Sequence, residues 1–134
     1  MSNLATLLQE QGKLGEAAPL NREALSEQRR TLGGDHPSTL MSINNLANVL
    51  ADLGKRGEAE QLYREALSAR RRALGDEHRD TLSTISSLAL LLQAQGKLAE
   101  ALEMSRQALA GSRRVFGDGH PFTQSNLNVY NQLL

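Results

Sequence analysis

One interval governs this chain: every 42 residues the same residue types return. Gly12, Gly54 and Gly96 mark it, and so do Lys13/Lys55/Lys97, Glu16/Glu58/Glu100 and Ala17/Ala59/Ala101. The register continues through Arg22/Arg64/Arg106, Ala24/Ala66/Ala108 and Leu25/Leu67/Leu109. It closes with Arg pairs beginning at Arg29, Arg71 and Arg113, then Gly33/Gly75/Gly117 and His36/His78/His120. A fixed period of this size signifies stacked units, and such arrays present extended surfaces rather than closed pockets. The functional question therefore turns from catalysis towards binding.

The middle unit displays the internal plan. Leu40, Ile43, Leu46, Ala47, Leu50 and Leu53 recur at spacings of three and four, which is one face of a helix over Ser38 to Leu53. His36-Pro37-Ser38-Thr39 is a start signal, because a proline near the first turn lacks only an N–H that would have no partner there. Gly54 stops this first (A) helix. A second (B) helix is predicted from about Gly57 to Ala73, with Ala59, Leu62, Tyr63, Ala66 and Leu67 in its stripe. Glu58 and Glu60 near its start and Arg70, Arg71 and Arg72 near its end complement the helix dipole. Each repeat thus reads as helix A, a Gly-Lys turn, helix B and a Gly-acidic-His loop. Short A–B turns force antiparallel hairpins, and neither helix can bury its stripe alone, so hairpins must stack. Pro19 falls near the start of the first B helix, where its missing N–H is tolerated. Repeat 1 spans about 1–35, repeat 2 about 36–77, repeat 3 about 78–119, and a terminal helix about 120–134, all in one array.

Leu46-Ala47, Leu50, Gly54, Ala59, Tyr63 and Ala66-Leu67 have the spacing of the tetratricopeptide (TPR) signature, although that unit has 34 residues and this one has about eight more. The longer form, with Asn44-Asn45-Leu46-Ala47, Gly-Lys, Glu-Ala, Arg-Glu-Ala-Leu, Arg-Arg, Leu-Gly and Asp-His-Pro, closely resembles the repeats of kinesin light chains. The resemblance covers essentially the whole chain. It implies an all-α fold, a right-handed α-solenoid of antiparallel helix hairpins whose A helices line a concave groove. It also implies a peptide or protein partner in that groove, with a polar residue just before the Leu-Ala pair bonding the peptide backbone. Those positions are Asn3, Asn45 and Ser87, then Val129; one turn on stand Thr6, Asn48, Leu90 and Gln132. Met41, Asn44, Asp52, Ser83 and Ser86 are expected to border the same surface. Two features depart from kinesin light chains: the A helices read as free of Lys and Arg, and the coiled coil is absent. Cargo transport does not follow from the resemblance.

The remaining composition removes other classes. Fifteen basic and fifteen acidic residues balance, without the basic excess of a dedicated nucleic-acid or membrane-surface binder. With no cysteine there is no disulfide or thiolate metal site. No apolar run approaches the roughly 18 residues of a membrane span, and no signal peptide opens the chain. A cytoplasmic protein with no membrane partner is expected. The three histidines sit in equivalent loops of different repeats. Packed helices lie roughly 8–10 Å apart, too far for equivalent imidazoles to share an ion at bonds of about 2 Å. They read as loop or helix-start residues, and no metal or cofactor is expected. The Gly-Lys turns lack the remaining residues of a phosphate loop. The Arg pairs are explained by dipole complementarity, so no nucleic-acid partner is expected. No nucleophile stands beside a His and a carboxylate, so the chain reads as a non-catalytic scaffold and not as an enzyme.

The ends break the period. The first A helix begins only at about Ser2, and the last segment, Phe122 to Leu134, is an A helix with no B helix after it. Asn126, Asn128, Asn131 and Gln132 suit it to capping, with a polar outer side. The chain reads more readily as a segment of a longer array, or of a larger adaptor or signalling protein, than as a complete protein. Exposed end helices give a self-associating array as the alternative to a peptide-binding scaffold, through homo-oligomer contacts.

Overall fold

A computed structural model describes the backbone of residues 3–134 and the side chains from residue 12 onward. The helices among the described residues are α1 (Asn3–Leu32), α2 (Pro37–Asp52), α3 (Arg56–Leu74), α4 (Arg79–Ala94), α5 (Leu98–Phe116) and α6 (Pro121–Leu133). There is no strand among the described residues. The chain divides into two compact units, Met1–Leu62 and Tyr63–Leu134.

In the first unit α1 packs on α2. Ala18 and Leu25 of α1 and Leu40, Ile43 and Leu46 of α2 are buried. In the second unit α4 and α5 form an antiparallel hairpin, and α6 lies against both. Leu82, Ile85, Leu88 and Leu92 of α4 and Ala101, Ala108 and Gly111 of α5 are buried in its core. The two helices approach closely at Gly111, where an added Cβ would stand 2.7 Å from Leu82 Cδ2.

The A-to-B turns repeat in detail. Gly54 and Gly96 adopt φ of +84° and +82°, a region glycine enters without steric cost. Beyond each, Lys55 N–H donates to Leu50 O and Lys97 N–H to Leu92 O, both at 2.8 Å. These bonds satisfy the carbonyls that a helix end leaves open.

The first repeat departs from this plan. The expected turn at Gly12-Lys13 does not form; α1 runs through it as one helix of 30 residues. Gln11-Gly12-Lys13-Leu14 and Gln95-Gly96-Lys97-Leu98 are the same four residue types, one set helical and the other a turn. Local sequence therefore does not decide the outcome; tertiary context overrides it. The turn at Gly96 follows the 16 residues of α4, whose apolar face lies back on α5. Because α1 continues through Gly12, Pro19 lies in a helix interior and not in a first turn. The carbonyl of Gly15, four residues back, lacks its usual donor there.

Candidate functional site on the A-type helices

Each A-type helix from α2 onward starts at a histidine. His36, His78 and His120 have extended backbone, and Nδ1 of each accepts the backbone N–H two residues on at 3.1 Å. This is helix capping performed by imidazole in place of the usual hydroxyl or carboxylate. It fixes where α2, α4 and α6 begin, and hence which residues their outer faces carry.

On α2 the outer face carries Met41, Asn44, Asn45, Asn48 and Asp52, spaced so that they follow one another along one side of the helix. Met41 is 60 % exposed, and Asn45, Asn48 and Asp52 are exposed. Asn44 is half-buried, and its side-chain oxygen is buried without a hydrogen-bond partner. The face is thus a row of amides flanked by a thioether and a carboxylate. Asn3 and Thr6 lie outside the residues whose side chains are described.

On α4, Ser83 is exposed and Ser87 half-buried. Ser86 is already engaged: its hydroxyl donates to Asn126 Oδ1 of α6 at 2.6 Å. The Asn126 amide donates in turn to the Ser112 hydroxyl of α5, which itself bonds the Ala108 carbonyl at 2.7 Å. Thr123 donates to the Ser112 carbonyl at 3.2 Å. Asn126 was expected on a wet outer side and is instead buried at this three-helix junction. One period earlier the corresponding pair is Arg70 and Thr84, with Arg70 donating to the Thr84 hydroxyl at 2.7 Å. The polar couple keeps its register while its chemistry changes. Beyond Ser87, Leu90 puts an exposed apolar side chain where α2 has Asn48. Gln132 of α6 donates weakly to Gln93 at 3.5 Å.

A further residue corrects the reading of basic-free A helices. Arg79 opens α4 at the position where Pro37 and Pro121 open α2 and α6. Its guanidinium lies over the Phe122 ring, 5.0 Å from the centroid. The break in the Pro-Arg-Pro series was visible in the sequence, whereas the stacking partner was not.

On the B-type helices, charges are matched pairwise. Arg22 reaches Glu58 at 2.5 Å and Arg64 reaches Glu100 at 2.8 Å. Arg71 pairs with Asp76 at 3.3 Å, Arg113 with Asp118 at 3.1 Å, and Arg114 with Glu77. Arg106 turns back onto Glu103, and its guanidinium holds that carboxyl below the usual carboxylate range. The cleft lined by Arg71, Arg106 and Arg114 therefore also contains Asp76 and Glu77. Among the described residues, no three His, Cys, Asp or Glu side chains gather where a metal could bind. No described helix is long and apolar enough to cross a membrane.

Residues 1–72, 40–114 and 80–130 each match the model of the tetratricopeptide repeat family. A comparison with curated proteins gives no match. Among solved structures, the chain is similar to a Podosopora anserina protein named for kinesin light chain and built of nearly identical TPR-like repeats. The TM-score is 0.86 at 28 % identity, over 97 % of this chain and 62 % of that one. A substituted variant of that protein matches with the same score and identity, over 61 % of its chain. BtubC (BKLC) from P. vanneervenii has the same fold, with a TM-score of 0.83 at 23 % identity over 91 % of this chain and 49 % of that one. The chain thus spans less than two thirds of each of these structures.

Proposed function

Because this chain belongs to the tetratricopeptide repeat family, whose all-α solenoids serve as protein-interaction scaffolds, we propose that it is a non-catalytic module receiving an extended peptide along its A-type helices. The observation that carries the reading is the α2 face. Asn45 and Asn48 each offer a donor and an acceptor, and the Asn44 oxygen lacks a protein partner. Asn is also a poor helix former, so this run of amides has a cost in α2 that helix formation does not explain. Asn3, Thr6, Ser83 and Ser87 extend the proposed contact set, with Met41, Asp52 and Ser86 at its border. Leu90 supplies an apolar spot on α4. The recognised segment is accordingly uncharged or mixed in charge, held by backbone hydrogen bonds and small apolar side chains. The working unit is one array, with repeat boundaries near residues 35, 77 and 119, acting in the cytoplasm.

The kinesin-light-chain name borne by a similar, longer structure favours a second reading, in which this chain is the repeat segment of a larger adaptor. A peptide-array screen with the whole chain, followed by calorimetry on the best peptide, tests the groove. Asn45→Ala and Asn48→Ala together should weaken binding at least about tenfold, the equivalent of one to two hydrogen bonds. Unchanged affinity in that double variant would remove α2 from the site.

A further inference from the structure

The arginines near the ends of the B-type helices look alike in sequence but differ in their surroundings. Arg30 of α1 turns onto Glu27 of its own helix. One period on, Ala69 stands in place of Glu27, and Arg72 donates to the Ser68 hydroxyl at 2.9 Å. A further period on, Arg114 reaches Glu77.

Arg72 and Ser68 belong to a cleft between α3 and α5. Arg64, Leu67, Ser68, Arg71, Arg72 and Met104 line it, all of them in the second unit. Its counterpart one period earlier, with Arg22, Ser26 and Arg29, has Glu58 in its wall. A neighbouring cleft that shares Arg71 has Asp76 and Glu77 in its wall. Among the described residues, no acidic side chain lines the cleft of Arg72. Three guanidiniums and a hydroxyl therefore border one space, with buried Leu67 and half-buried Met104 as its apolar part.

Arg71 is incompletely satisfied there. Its Nε is buried, and although Asp76 Oδ1 lies 3.3 Å away the two make no hydrogen bond. Its Nη2 reaches Gln107 Oε1 at 3.4 Å. Arg64 is ion-paired with Glu100 at 2.8 Å, but a guanidinium has five N–H donors and can serve a second anion. An incoming carboxylate would compete on equal terms with those already present. A phosphate monoester brings about two charges and three acceptor oxygens, which suits three arginines better.

We propose that this cleft is a second binding site, on the B-type face, for a phosphoserine or phosphothreonine of a partner protein. Arg64, Arg71 and Arg72 hold the phosphate oxygens, with Arg72 oriented by Ser68. Leu67 and Met104 receive an apolar residue beside the phosphorylated one, which a free phosphate lacks. A nucleic acid suits the cleft less. Glu100 and Asp76, each paired with a lining arginine, oppose the next phosphates of a continuous chain, and no aromatic ring lines the cleft for a base to stack on. The site uses neither Asn45 nor Asn48, so it stands or falls apart from peptide binding on α2.

Degenerate peptides with a fixed central phosphoserine, passed over the immobilised whole chain, test this against the same peptides with central serine or glutamate. The phosphoserine set should be retained at least about tenfold more strongly than either, because several charge-assisted hydrogen bonds are gained. Arg72→Gln should lower that retention about tenfold and Ser68→Ala about threefold. Both positions are exposed, so the helical circular-dichroism signal should not change. Asn45→Ala with Asn48→Ala should leave the retention intact. Equal retention of the glutamate and phosphoserine sets, or indifference to both substitutions at the cleft, would overturn the proposal. So would release by an equal concentration of inorganic phosphate, which marks a site for the free anion, or stronger retention of a short single-stranded DNA.

Discussion

The histidines illustrate how a residue can be prominent in a sequence for a reason other than chemistry. Three imidazoles at one interval invite a metal, yet each directs Nδ1 to a backbone N–H at 3.1 Å and starts a helix. Their place at the helix start was legible from His-Pro-Ser-Thr, but the acceptor role was not, because imidazole is an uncommon cap. Replacing His78 by Ala should lower stability by about 1 kcal/mol, the usual cost of losing a helix cap. His78→Asp, which can accept the same bond, should retain most of it. Urea denaturation of both variants checks this, and equal losses in the two would show that the bond contributes nothing. Asn126 teaches the opposite lesson. Its polarity suggested a wet surface, and only the tertiary meeting of Ser86 and Ser112 accounts for its burial. Asn126→Ala should cost about 1–3 kcal/mol, because partners are left buried beside an apolar methyl group. The loss should appear as faster amide exchange in α6, which Asn126 ties to both of its neighbours.

Between elements, the informative comparison is two copies of Gln-Gly-Lys-Leu with different structures. The period predicts a turn at both, and at Gly96 the prediction holds, with φ of +82° and the cap bonds in place. At Gly12 the same residues continue a helix. A pattern of residue types records what a segment can do; tertiary context selects among the outcomes. Paired substitutions separate the two states. Gly12→Ala should stabilise the chain by up to about 1 kcal/mol, since alanine is the better helix former in a helix interior. Gly96→Ala should destabilise it by a similar amount or more, because a side chain at that φ is strained. Chemical denaturation measures both. Destabilisation of like size at both sites would mean that Gly12 turns after all. The A-helix faces follow the same rule: Asn45 and Asn48 are outward as their spacing implies, whereas the Ser86 hydroxyl is taken up by α6.

At the scale of the molecule, a repeat array distributes stability by neighbours: each unit holds through its own packing and the contacts on either side. The α4–α5 hairpin is covered on the faces that matter, with Leu88, Ala89, Leu92, Ala101 and Ala108 all buried. By contrast, the Ala24 side of α1 is open to solvent, and its interior Pro19 removes one helix bond. The opening free energy should therefore be graded along the chain. Amides of α4 and α5 should exchange slowest, and those of α1 before Pro19 fastest, because exchange follows local burial when a segment can open alone. Hydrogen–deuterium exchange followed by mass spectrometry resolves these helices as separate peptides. Uniform protection, lost everywhere in a single step, would show that the array opens only as a whole and that the uncovered face has no energetic consequence. The grading thus traces to one cause, the distribution of covered and uncovered apolar positions along a single repeating pattern.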